Sequence, residues 1–151
     1  MEIQPGVDLV MAQDYARVVE VWEASVRATH TFLREEDIDL FRPLVRQELP
    51  QVEHLMGVRD ENGQIAGFIG VMDQKVEMLF LHPDARGQGA GRRLIEYALL
   101  HFGANALDVN EQNPQAFGFY QHLGFEVVGR SELDGTGKPY PLLHMRLNNR
   151  N

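Results

Sequence analysis

Leu79-Phe80-Leu81-His82-Pro83-Asp84-Ala85-Arg86-Gly87-Gln88-Gly89-Ala90-Gly91-Arg92-Arg93-Leu94 carries an apolar run into a glycine cluster and out into a periodic segment. With Leu94, Ile95, Ala98 and Leu99 following at helical spacing, the stretch reads as strand, loop and helix. Glycines lack Cβ, so a ligand can approach the backbone, and the N–H groups that open a helix point toward an anion. The loop therefore suits a phosphate or pyrophosphate, with Arg86 and Arg92 adding positive charge. Three phosphate-binding patterns compete for it. A P-loop ends in Gly-Lys-Ser/Thr, whereas Gly91 is followed by Arg92-Arg93, which excludes it. A dinucleotide fingerprint needs a third glycine, where this chain has Arg92 or Leu94, although Asp108 stands roughly 20 residues on as a ribose-binding acid would. The pattern R-x-x-G-x-G is met by Arg86, Gly89 and Gly91. The plain alternative is a tight turn that binds nothing.

Lys75 to Leu81 forms the strand before the loop, entered by a tight turn at Asp73-Gln74. His54 to Arg59 and Ile65 to Met72 are two further strands around Asp60-Glu61-Asn62-Gly63, where Asn-Gly signals a hairpin. Upstream, Val7 to Met11 suits an edge strand. Asp14 stands at the start of a helix that carries Val18, Val19, Val21, Trp22 and Val26 on one face and ends near Thr29-His30. Glu35 to Gln47 forms a second helix, broken by Pro43 or turning around it, and closed by Pro50. Downstream of the Gly91–Phe102 helix come a strand at Ala106 to Asn110 and a helix from Pro114 to Leu123 that stops at Gly124. Strands at Phe125 to Arg130 and Leu142 to Leu147 follow. One strand, two helices, three antiparallel strands, helix, strand, helix and two strands give an α/β (α+β) layer on one mixed sheet.

The 151 residues suit one domain over 1–151, and 44% hydrophobic with 24% charged residues is globular composition. Fourteen basic against 22 acidic residues leave a net charge of −8. That field repels a polyanion, so no nucleic-acid partner is expected, and it attracts a cationic or amine substrate. With no cysteine, disulfides, thiolate metal sites and a thiol nucleophile are excluded. The six histidines show no metal-ligand spacing, so no metal is expected. No basic and apolar leader is visible at the start and no apolar run approaches a bilayer span, so a cytoplasmic protein without a membrane partner is expected.

The quoted stretch resembles the acetyl-CoA signature of the GNAT N-acetyltransferase superfamily. A second signature follows at Asn113, Ala116 and Phe119-Tyr120-Gln121-His122-Leu123-Gly124-Phe125. Thr29-His30-Thr31-Phe32-Leu33, Asn110 to Ala116, and Gly129 to Glu132 through Gly137 to Leu143 are similar to the bacterial YjaB-type branch, and the likeness is weakest before Val18. The resemblance implies a GNAT fold: a central, mixed and mostly antiparallel sheet of about seven strands flanked by about four helices, with a splayed V between the strands near 75–81 and 106–110. It implies that the backbone of Leu79, Phe80 and Leu81 pairs with the pantetheine arm of acetyl-CoA. Arg86, Gly87, Gln88, Gly89, Ala90, Gly91 and Arg92 would hold the pyrophosphate, and Asn113 would bond the cofactor arm. Tyr120 falls where the family keeps a tyrosine near the thioester sulfur. A phenol can give the departing thiolate its proton and be regenerated. Its other reading is a core tyrosine beside Phe117, Phe119 and Phe125.

The attacking amine must be neutral, which calls for a general base. Glu77 sits on the strand before the loop where some members carry a carboxylate, and reads equally as a solvated strand glutamate. His30 and Tyr140, on the substrate-side loops, are the candidate acceptor contacts. Glu111 is a further acid, and His144 reads as a packing residue in a strand. The function expected is acetyl-CoA-dependent transfer of an acetyl group to a primary amine of a small molecule or peptide, by direct attack in a ternary complex. The alternative is a non-catalytic acyl-CoA sensor on the same fold. Monomer and homodimer both stay open, since the closing strands offer an edge.

Overall fold

A computed structural model describes residues 1–148, so the last three residues of the domain expected over 1–151 lie outside the described part. The elements are β1 (Asp8–Leu9), α1 (Tyr15–Thr29), α2 (Glu35–Glu48), β2 (His54–Arg59), β3 (Ile65–Met72), β4 (Lys75–Leu81), α3 (Ala90–Phe102), β5 (Ala106–Asn110), α4 (Pro114–His122), β6 (Phe125–Ser131) and β7 (Leu142–Leu147). They build one seven-stranded sheet in the order β1-β2-β3-β4-β5-β7-β6. Every neighbouring pair is antiparallel except β4 and β5.

β3 is buried along nearly its whole length because both faces of the sheet are covered there. α1 and α2 lie on one face, where Val18, Val21, Trp22, Ile38 and Leu49 pack with Ile65 and Phe68. α3 and α4 lie on the other, where Leu94, Ile95, Ala98 and Tyr120 pack with Ile69, Val71, Leu107 and Met145. Burying each such aliphatic side chain contributes about 1.5–3 kcal/mol, so these two layers hold the sheet rigid around whatever opens in it. No helix among the described residues is long and apolar enough to cross a membrane.

What opens is the β4–β5 pair. The two strands are in register only at Lys75↔Ala106 and Val76↔Leu107, and beyond that they diverge. The cause is local. Against β3, Gly70 faces Met78 while Val71 faces Val76, so Glu77 is an extra residue in a β-bulge. A bulge bends its strand and increases twist, which turns the upper half of β4 away from β5.

Two local expectations change. α2 runs through Pro43 without a break, because Phe41 and Val45 on either side of it pack into the α1–α2 core and hold the turn. The 60–63 hairpin is organised by Asp60 as well as by Asn-Gly. Its carboxylate accepts from the Asn62 and Gln64 amides at 2.8 and 3.0 Å, and Gly63 alone takes the left-handed conformation, at φ +77°. The tight turn at Asp73-Gln74 has positive φ at both residues, as a two-residue hairpin of that hand requires.

Candidate active site

Two clefts enter the V from opposite sides and meet at its centre. The first, about 340 Å³, is lined by Leu79, Phe80 and Leu81, by Arg86, Gly87 and Gly89 to Arg92, and by Asn113, Ala116, Phe119 and Tyr120. The second, about 390 Å³, is lined by β4 from Lys75 to Phe80, by Asp108 and Asn110, by the Asp134–Thr136 loop, and again by Tyr120. His30, Leu79, Phe80, Asn113, Ala116 and Tyr120 belong to both.

The glycine loop is shaped for an anion. Gly87 and Gly89 have φ of +78° and +76°, and Gly89 caps α3 in that left-handed state. The first-turn amides of Ala90, Gly91 and Arg92 have no partner inside the helix and face the cleft end, with the positive end of the helix dipole behind them. Arg92 shares its guanidinium with Glu96 at 2.7 Å. Gln88 differs from its neighbours: its side chain turns away, donating to the Met1 carbonyl at 2.6 Å and accepting from the Ile3 amide at 2.9 Å. Asn113 is buried at the start of α4, where its side-chain oxygen accepts from the Ala116 amide at 3.3 Å and caps the helix.

Tyr120 is 9% exposed, with its ring edge-on to Phe119 and Phe125 at 5.3 and 6.1 Å. It is packed in the core, as one reading of the sequence has it, and it also borders both clefts. Burial pushes its phenol well above the ordinary value, so it stays protonated at neutral pH. Glu77 stands at the bulge in the second cleft. Desolvation raises its carboxyl above the usual glutamate value, Lys75 opposes that rise, and Asp108 and Glu48 add to it.

His30 closes α1 at the junction of the clefts, its ring 5.4 Å from Phe32 and 6.4 Å from Phe80. Thr29 donates its hydroxyl to the Ser25 carbonyl at 2.8 Å and so accepts from His30 Nδ1 at 2.7 Å. That assignment, made from the hydrogen-bond network, leaves Nε2 as the lone-pair nitrogen. Burial pushes the imidazole down to about 4. A histidine with pKa near 6.5 in the unfolded chain and about 4 in the folded one binds more protons when unfolded between those values. Stability is therefore highest above pH 6.5 and falls as the pH drops toward 4, by up to about 3 kcal/mol. Denaturant unfolding from pH 7 to pH 4, compared between the native chain and His30→Gln, checks this: the variant loses that part of the slope.

Tyr140 faces a side cleft shared with His30, Phe80 and Asn110. Its ring lies 5.4 Å from Phe32, and its hydroxyl donates a hydrogen bond to Asp37. Asp37 is fully buried and also pairs with Lys138 at 3.2 Å. The Tyr140 hydrogen bond comes first among the causes that hold its carboxyl at about 2. Tyr140 and Lys138 thus tie the β6–β7 loop to α2, a contact with no sequence signal beyond an acid in a helix's first turn. Glu111 is taken by Arg130 through hydrogen bonds of 2.6 and 3.1 Å, so it is not an available base.

His144 is not a packing residue. Its Nδ1 lies 2.6 Å from Asp108 Oδ1 and its Nε2 lies 2.7 Å from Ser131 Oγ, while Lys75 Nζ lies 2.8 Å from Asp108 Oδ2. Asp108 is accordingly bound inside the sheet, not aimed at a ribose. Among the described residues no cluster of three or more histidines and carboxylates is placed to hold a metal.

Residues 28–148 match the sequence model of the acetyltransferase (GNAT) domain. The peptidyl-lysine N-acetyltransferase YjaB of Escherichia coli K12 is 46% identical over 128 residues, covering 85% of this chain and 86% of that protein. The solution structure of apo YjaB from Escherichia coli superposes with a TM-score of 0.87 at 41% identity, over 99% of this chain and all of that one. A PaiA N-acetyltransferase from Thermoplasma acidophilum, solved with coenzyme A, shares the fold at a TM-score of 0.69 and 20% identity, over 98% and 100% of the two chains. A splayed β4–β5 pair, a left-handed glycine loop opening a helix, and a family match over most of the sequence agree: the chain belongs to the GNAT acetyltransferase family.

Proposed function

We propose that the chain binds acetyl-CoA in the glycine-lined cleft and transfers the acetyl group to the ε-amine of a peptidyl lysine arriving through the cleft that holds Glu77. The observation that carries this reading is the meeting of the two clefts at Tyr120, with phosphate-binding backbone on one side and carboxylates on the other. The name of the 46% identical relative supports a lysine acceptor, as does the acidic lining of Glu77, Asp108 and Asp134. A non-catalytic acyl-CoA sensor gains no observation in its favour. Because the reaction consumes acetyl-CoA, a cytoplasmic setting belongs to the same proposal.

In the mechanism, the diverging edge of β4 pairs with the pantetheine arm, and the amides of Gly87 to Arg92 hold the pyrophosphate. A lysine ε-ammonium, with pKa near 10.4, must lose a proton before it attacks. Glu77 takes that proton, directly or through water; a carboxyl held above the ordinary glutamate value is a stronger base for it. The amine then adds to the thioester carbonyl, the C–N bond forms, and the C–S bond breaks. As the intermediate collapses Tyr120 donates its proton to the leaving thiolate, and the nitrogen sheds its second proton, which returns through water to the phenolate, leaving amide and coenzyme A thiol. Positioning both substrates in one V supplies much of the acceleration.

Release of coenzyme A thiol from acetyl-CoA, measured over lysine peptides, free amino acids and polyamines, tests the acceptor class; the cysteine-free chain adds no thiol background. Lysine-peptide-dependent release is expected, and release with small amines but not with peptides would overturn the acceptor. Glu77→Gln is expected to lower kcat about a hundredfold at neutral pH with acetyl-CoA affinity unchanged, read by steady-state kinetics beside calorimetric binding.

A further inference from the structure

The four side chains that the reaction does not use directly form one connected chain across four strands: Lys75 on β4, Asp108 on β5, His144 on β7 and Ser131 on β6. Its donors all run toward Asp108. The ionised carboxylate accepts from Lys75 at Oδ2 and from His144 Nδ1–H at Oδ1, so His144 Nε2 accepts from the Ser131 hydroxyl. Lys75 and Asp108 line the acceptor cleft, while His144 and Ser131 line neither cleft. A Ser-His-Asp order is thus present without a serine that could reach substrate, which leaves a structural, charge-holding role. Burial pushes the Asp108 carboxyl up, but its bonds to Lys75 and His144 hold it below the usual range. Lys75 is in turn held above its ordinary value by Asp108.

That pair faces Glu77. Lys75 stands two residues away on the same strand, Asp108 comes from β5 and Glu48 from α2, and His30 and Asp134 line the same cleft. Lys75 is the sole Lys or Arg lining this cleft among the described residues, and one of only two lysines in the chain. An unanchored ammonium there would be free to follow solvent or the entering substrate. Asp108, oriented at both oxygens, keeps it in place.

We propose that the Lys75–Asp108–His144–Ser131 chain fixes the charges facing Glu77, making Lys75 and Asp108 positioning residues that determine whether this carboxylate can take the acceptor's proton. The proposal rests on Glu77 as the base. Removing the cation disfavours ionised Glu77, and removing the Asp108 charge favours it, so the two changes act in opposite directions. The test uses the full chain with acetyl-CoA and a lysine peptide. It measures the acid limb of kcat/KM together with carboxyl-carbon NMR titration of Glu77 in Lys75→Met, Lys75→Arg and Asp108→Asn. Lys75→Met is expected to move both readouts up by about half to one pH unit, and Asp108→Asn down by a similar amount, the size of one charge a few ångströms away in partly wet protein. Lys75→Arg keeps the native profile. Lys75→Gln supplies the same charge removal should Lys75→Met fail to fold. Shifts in the same direction, or lower kcat with neither readout moved, would overturn the proposal. An active Glu77→Gln with an unchanged acid limb would instead overturn the base assignment, which the NMR titration reads separately.

Discussion

Tyr120→Phe is expected to lower kcat by a hundredfold or more while leaving acetyl-CoA affinity and stability close to native. The substitution removes one hydroxyl and keeps the ring that packs edge-on to Phe119 and Phe125. Among the described residues that hydroxyl makes no hydrogen bond whose loss would weaken the fold. Its loss is therefore felt where a proton must reach the departing thiolate. A phenol raised above its ordinary value by burial keeps its proton at neutral pH, so that proton is in place for the leaving group, and the variant is slow because the leaving group departs as a bare thiolate. An acceptor whose coenzyme A product were protonated by water would be insensitive to the change. Rapid-mixing kinetics beside calorimetric binding of acetyl-CoA separates the chemical step from binding: native affinity with a slow chemical step fits, and a lost affinity with native turnover does not.

Gly89→Val is expected to weaken acetyl-CoA binding by about a hundredfold or more, from two causes that add. A non-glycine residue in the left-handed region costs about 1–2 kcal/mol, and a β-branched one more. Gly89 also lines the cofactor cleft with open space above its Cα. A valine there occupies the volume into which the pyrophosphate must settle against the backbone. Gly6 has the same left-handed strain, at φ +95°, but lines neither cleft, so Gly6→Val is the control. The control loses stability without losing affinity. Equal affinity losses in the two variants would mean that backbone strain, not a phosphate cradle, explains the first.

What the sequence made legible is local. The strands His54–Arg59, Ile65–Met72, Lys75–Leu81, Ala106–Asn110 and Leu142–Leu147 are apolar runs punctuated by turn residues, and each stands where it reads. The glycine loop was readable because positive φ demands glycine. Pro43 reads as a break because its penalty is local, while the packing that overrides it comes from α1 and the sheet. The bulge at Glu77 has no signal in its own strand; it is a mismatch with β3. His144 reads as a packing residue for the same reason. Its partner Asp108 is 36 residues away and Lys75 is 33 residues from Asp108, and only the β4-β5-β7-β6 order brings them together. Tyr140 and Asp37, 103 residues apart, meet because the β6–β7 loop folds back over α2. Polar networks across a sheet leave no periodicity in the chain that makes them.

Acetyl transfer to a lysine side chain can be read from one peptide. A peptide carrying a single lysine and a blocked N-terminus is incubated with the protein and acetyl-CoA, then sequenced by tandem mass spectrometry. One acetyl group on that lysine's Nζ is expected, matched by one equivalent of coenzyme A and lost with Tyr120→Phe. A protein that binds acetyl-CoA yet leaves every such lysine peptide unmodified, while acetylating unblocked N-termini or small amines, would contradict it.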